Sequence, residues 1–143
     1  MGQILMSSIE LEEKKLRQLE RLQVEYISSI DDGPLEKWPQ FFTDPCLYLV
    51  ISRDNLERNM ELGVMRFESV GMLVDRATAT QHAAVFAPRR IRHVLGPFII
   101  EGVTAQGICT RTNVAIYQTS PDGDTALLTV SYTHLTLPTI LLV

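Results

Sequence analysis

The chain holds few side chains suited to chemistry, and their spacing narrows what that chemistry could be. His82 and His93, taken with Asp75 or Glu68, are the residue types of a two-histidine, one-carboxylate iron site, but the two imidazoles follow no compact ligand motif. Cys46 and Cys109 stand far apart in "PCLYLV" and "GICTRT", apolar company that predicts buried thiols rather than a disulfide or a CxxC metal framework. Neither cysteine has a histidine two or three residues away, so the CxH and CxxH pairs that ligate an iron–sulfur cluster are missing. There is no GxSxG, Walker loop, GxGxxG or HExxH, which leaves hydrolase, nucleotide-binding and zinc-protease chemistry without a basis. The nearest acid–base pair for an isomerase or dehydratase is Tyr26 as hydrogen-bond donor with Asp75 as proton acceptor. No residue is assigned a catalytic, cofactor-binding or metal-binding role, and His134 is given none.

Two other groupings invite binding rather than catalysis. Arg89, Arg90, Arg92 and His93 place three guanidinium groups beside an imidazole at the start of a strand. Strand alternation sets Arg90 and Arg92 on one face, with Ile91 and His93 on the other. Arginine forks bind carboxylates bidentately and are enriched at subunit contacts, so the cluster reads as an interface; an intrachain salt bridge to Asp75 or another acid is the competing reading. Trp38, Phe41, Phe42 and Tyr48 make either a core cluster or the lining of a pocket for an aromatic ligand. Asp75 and Arg76, adjacent in a helical stretch, point in different directions and are expected to make separate structural ion pairs.

The elements that would position these residues follow from periodicity. Ser7 to Ile30 reads as an amphipathic helix: Ser7 and Glu10 have capping-box spacing, and Ile9, Leu16, Leu19, Leu22, Tyr26 and Ile30 form one apolar stripe. Asp31-Asp32-Gly33-Pro34 stops it and starts a short helix, "LEKWPQFF". "CLYLVIS" alternates as a strand, "RDNLERN" reads as a loop or ragged turn, and "VMRFES" as a weak strand. Helical spacing returns from Val70 to Phe86, with Val70, Leu73, Val74, Ala77 and His82 or Val85 near one face, and Pro88 bars its continuation. From Arg90 onward the text is β: "RHVLGPFIIEGV", "AQGICTRTNVAIYQT", a Pro-Asp-Gly turn and "TALLTV". Helices followed by long antiparallel strands give an α+β order, with a sheet curling over the amphipathic helices.

Composition bounds the rest. A chain of 143 residues, 45% hydrophobic and 21% charged, fits one globular domain. Its net charge of −4 offers no basic field for nucleic acid or an anionic membrane. No apolar run reaches the roughly 20 residues of a membrane span, and the charged "ELEEKKLRQLE" is unlike a signal peptide, so a cytoplasmic location is expected.

The motifs "LEKWPQFFTDPCLYLVISRDN", "MLVDR" and "RRIRHVLGP", in this order and at these separations, resemble the small (beta) subunit of aromatic-ring-hydroxylating dioxygenases of the Rieske non-haem iron class, in the variety acting on terephthalate, anthranilate or salicylate. The likeness runs from about Val24 to Val130. It implies the cone-shaped α+β fold with a curved antiparallel sheet shared with nuclear transport factor 2 and ketosteroid isomerase (the cystatin-like group). It also implies a non-catalytic assembly role in aromatic-compound catabolism, and a mixed hexamer of three large (alpha) and three small subunits. The Rieske cluster and mononuclear iron would lie on the alpha subunit, fed by NAD(P)H through a reductase. The rival is a stand-alone isomerase or dehydratase of the same fold, acting on a small apolar substrate.

Family members continue into strands that close the sheet, whereas this chain ends in "SYTHLTLPTILLV". Reading "VSYTHLTLPT" back as GTC TCT TAT ACA CAT CTG ACG CTG CCG ACG gives DNA that resembles the mosaic end and adapter of a transposase-made sequencing library. The expectation is therefore one α+β domain over residues 1–130, incomplete at its C-terminus. Residues 131–143 would be an artefact, forming a strand or tail packed poorly against Leu16, Leu19 and Leu22.

Overall fold

A computed structural model describes the backbone of residues 2–60, 62–82 and 89–137, and within these ranges the side chains from residue 12 onward. The chain divides into two compact units, Met1–Asp31 with Phe86–Val143, and Asp32–Val85.

The first unit pairs a long helix with a three-stranded sheet. Helix α1 spans Gly2–Asp31. It is already running at Ser7, so the capping box expected there is not formed; "QILM" holds good helix formers and nothing that would stop the helix earlier. Of the expected stripe, Leu19 is 1% exposed and Leu22, Tyr26 and Ile30 are half-buried, while Leu16 is largely exposed and the side chain of Ile9 lies outside the described residues.

Strands β3 (Arg90–Thr104), β4 (Gly107–Thr119) and β5 (Thr125–Leu137) form an antiparallel sheet in the order β3-β4-β5. The β4–β5 turn is closed by the Ser120 N–H on Asp124 O (2.9 Å) and the Gly123 N–H on Ser120 O (3.0 Å). Gly123 sits at φ +93°, a left-handed conformation that favours glycine. Bulges interrupt β3 near Gly96 and Glu101 and β5 near Leu128, which increases local twist. Leu19, Ile108 and Leu137 are the buried centre, with Leu22, Phe98 and Leu135 packed around them.

The poor packing expected for the last stretch is not what the structure shows. Residues 131–137 continue β5 in unbroken register with β4, from Val114↔Ser131 to Ile108↔Leu137, and Leu137 is 8% exposed. The ladder is made by backbone groups, which any alternating segment can supply. That alternation turns Leu135 and Leu137 toward Leu19 and puts His134 on the other face. Pro138 and the residues after it lie outside the described residues.

The second unit is more local in sequence. The expected short helix forms as a 3₁₀ helix, Leu35–Phe41, and Pro39 inside it has no N–H to donate to an α-helical ladder. Strands β1 (Tyr48–Val50) and β2 (Met65–Phe67) pair antiparallel. The expected loop after β1 is a short helix, α2 (Arg53–Glu57), capped by Ser52 Oγ, which accepts from the Asn55 N–H at 3.2 Å. Gly63 passes so close to β1 that a Cβ there would sit 2.8 Å from Val50 O. Helix α3 spans Val70–His82 and buries Leu73 and Ala77; Val74 is about half exposed, and Val85, Phe86 and Pro88 lie outside the described residues. No described helix is long and apolar enough to cross a membrane.

Candidate interaction face

The first residues of β3 behave as strand alternation requires. Arg90, Arg92 and Val94 are exposed, while Ile91, His93 and Leu95 are half-buried on the α1 side. Cross-strand register then builds the outer face in rows. Arg92 stands opposite Tyr117, which stands opposite Leu127, and Val94 stands opposite Ala115, which stands opposite Val130. Directly opposed residues share a face, so two arginines at one end run into an apolar field. Val94 is 54% exposed, Leu127 52% and Val130 71%. Arg89, just before the strand, donates from Nη1 to Gln118 Oε1 at 3.3 Å. Exposed cations beside uncovered valine and leucine on a chain of net charge −4 suit a carboxylate-bearing protein surface.

His93, grouped with these arginines by sequence, faces the other way. Its backbone N–H donates to Asp31 Oδ2 at 2.8 Å, and its Nδ1 lies 2.6 Å from Asp31 Oδ1. The side chains are 15% and 4% exposed. An ionised carboxylate only accepts, so Nδ1 carries the proton in this pair. Sequence reasoning saw Asp31 only as part of a helix stop. The available signal was an acid at a helix C-terminus, where the macrodipole disfavours it unless a cation or donor compensates. A second inner-face link was also missed: Gln23 Nε2, on α1, donates to Thr112 Oγ1 on β4 at 2.9 Å, both residues being buried.

On the outer face, Glu101 joins three strands, with Oε1 3.1 Å from Arg111 Nε and Oε2 3.0 Å from His134 Nδ1. Between α1 and β3 lies an open recess of about 630 Å³, lined by Leu16, Val24, Leu95, Phe98 and Ile100 with Glu20 as its carboxylate.

In the second unit Trp38 is 6% exposed and meets Phe42 and Tyr48 edge to face at 5.7 and 5.3 Å. Phe42 meets Tyr48 at 6.0 Å, and Phe67, which sequence reasoning left out, stacks on Tyr48 at 5.9 Å. Phe41 is half-buried beside them in sequence. Burial pushes the Tyr48 phenol above its ordinary range, opposed by the nearby Arg76 charge. These rings pack on one another as a core cluster does.

The separate ion pairs expected of Asp75 and Arg76 are not formed with described residues: both side chains are exposed on α3, where an ion pair gains little. His82 is exposed at the end of α3, Glu68 accepts from Arg66 at 2.8 Å, and His93 is committed to Asp31. Among the described residues no three His, Cys, Asp or Glu side chains converge where a metal ion could sit. Tyr26 does not line the α1–β3 recess.

No family model matches the chain. Over 103 residues it is 29% identical to the small subunit of anthranilate 1,2-dioxygenase from Burkholderia cepacia, covering 72% of this chain and 64% of that protein. Over 82 residues it is 38% identical to terephthalate 1,2-dioxygenase, terminal oxygenase component subunit beta 2, from Comamonas sp, covering 57% of this chain and 53% of that one. The chain thus spans between half and two thirds of the length of these curated relatives. Among solved structures it is similar to a chain assigned as the beta subunit of an aromatic-ring-hydroxylating dioxygenase from Novosphingobium aromaticivorans. The identity there is 31% and the TM-score 0.74, over 82% of this chain and 74% of that one.

Proposed function

The chain belongs to the family of small, or beta, subunits of aromatic-ring-hydroxylating dioxygenases, and we propose that it is the non-catalytic assembly subunit of such an oxygenase in aromatic-compound catabolism. The observation that carries this reading is the joint likeness in sequence and fold to a solved beta subunit across about three quarters of that subunit's length. In this reading the large (alpha) subunit carries the Rieske cluster and the mononuclear iron, electrons arrive from NAD(P)H through a reductase, and three large and three small subunits assemble in the cytoplasm. The substrate is an aromatic acid of the anthranilate or terephthalate kind, held on the large subunit. Arg89, Arg90 and Arg92, with the apolar rows beside them, form the surface that meets the partner. His93 contributes from behind that surface.

Co-expression with the large subunit encoded by the neighbouring gene tests the proposal. The two chains are expected to co-elute and to hydroxylate an aromatic acid when reductase and NADH are supplied, while the small chain alone turns over nothing. Near-stoichiometric iron in the isolated chain, or turnover by it, overturns the reading.

We propose in addition that residues 131–143 derive from adapter DNA, because residues 130–139 can be read back into codons that spell such DNA. The orderly place of residues 131–137 in β5 supports neither origin, because ladder pairing selects for alternation rather than for a particular sequence. Recovering the same codons from independent, unfragmented DNA overturns this.

A further inference from the structure

The Asp31 carboxylate grips one residue of β3 twice, at its backbone N–H and at its ring. The grip lies at the open edge of the sheet, since among the described residues β3 pairs with β4 alone and the His93 N–H is donated to Asp31 instead of to a neighbouring strand. It joins the last residue of α1 to the stretch of β3 that also carries Arg90 and Arg92. A strand has two faces, and a slip of one residue exchanges them. Holding His93 inward therefore holds Arg90 and Arg92 outward. This link touches the arginine-bearing strand, whereas the Gln23–Thr112 bond reaches β4.

We infer that Asp31 is a positioning residue for the partner-facing arginines: through His93 it fixes the face and the edge geometry of β3 from which Arg90 and Arg92 reach a carboxylate-bearing surface of the large subunit. The carboxylate also occupies an N–H that an unprotected edge would offer to another strand, which favours docking through the arginine face over edge-to-edge pairing. This inference rests on the interface reading above, and a side chain that is 4% exposed, as that of Asp31 is, does so without touching the partner itself.

A double-mutant cycle on binding of the full chain to the large subunit from the neighbouring gene separates the possibilities. Asp31→Asn is expected to weaken binding by about tenfold, a loss on the scale of a misplaced charge-assisted contact. In the Arg90→Ala/Arg92→Ala background the same substitution is expected to change binding by less than about twofold, because nothing remains for it to position. A purely structural role would lower both by the same factor. Should Asp31→Asn lose its folded circular-dichroism signal, His93→Gln, which keeps the backbone N–H on Asp31, is read in the same cycle against the same outcomes. Equal factors in the two backgrounds, or unchanged binding by Asp31→Asn where Arg90→Ala/Arg92→Ala binds weakly, overturn the inference alone. Unchanged binding by Arg90→Ala/Arg92→Ala overturns the interface reading and the inference together.

Discussion

The two faces of the β3–β4–β5 sheet are built from alternate residues of the same strands, yet the chain completes only one of them. On the α1 side Leu19, Ile108, Val114 and Leu137 are buried, and two polar pairs beside them are matched within the chain, Gln23 to Thr112 and Asp31 to His93, while the buried Thr110 hydroxyl has no partner among the described residues. On the other side Val94, Leu127 and Val130 stay more than half exposed beside Arg90 and Arg92. The difference teaches where to look for each kind of information. The covered face explains why the unit holds together, and the uncovered one offers what a partner would need.

Breaking the covered face should cost most. Leu19→Ala removes the most buried side chain of that core, and a loss of about 2–5 kcal/mol is expected in urea unfolding. Val130→Thr on the opposite face should stay within about 0.5 kcal/mol of the parent. An equal loss at both positions would erase the distinction between the faces.

Next in size comes the grip at the sheet edge. Asp31→Ala strands the His93 N–H in a nearly buried position, and a loss of roughly 1–3 kcal/mol is expected in the same assay. A smaller net effect is expected where both ends of a link are replaced together. Gln23→Leu alone should destabilise by about 1–3 kcal/mol through the unpaired Thr112 hydroxyl, whereas Gln23→Leu with Thr112→Val should recover most of it. Additive losses would mean that the bond contributes nothing beyond its two side chains. Smallest of all, Arg90→Ala should leave the melting temperature nearly unchanged, since Arg90 is exposed at the strand's start.

The sequence was legible where structure is local and periodic. Leu19, Leu22, Tyr26 and Ile30 at helical spacing located the buried side of α1, and strict alternation through "RRIRHV" placed Arg90 and Arg92 opposite His93 before any contact was seen. The Pro-Asp-Gly turn, the strand before it and the start of the strand after it followed from turn chemistry and alternation, whereas β5 runs on to Leu137, past the expected "TALLTV". What stayed hidden was pairing across distance. Nothing near Asp31 names His93, and nothing near Gln23 names Thr112, because hydrogen bonds between remote segments leave no period in the chain. Phe67 escaped the aromatic cluster for the same reason: β1–β2 register brings it beside Tyr48. The helix α2 was missed although Ser52 and Asn55 have cap spacing, because five residues carry too little periodicity to stand out from a polar loop.

The account's central claim is that the uncovered face, with its arginines, serves assembly and not folding. Its most direct test measures one variant twice: Arg90→Ala/Arg92→Ala against the parent chain, for binding to the large subunit and for thermal unfolding of the small subunit alone. Binding is expected to fall by about tenfold or more, as for arginine anchors at interfaces, while the melting temperature shifts by no more than a few degrees. Binding that survives intact, or that falls only in step with a matching loss of thermal stability, would contradict it.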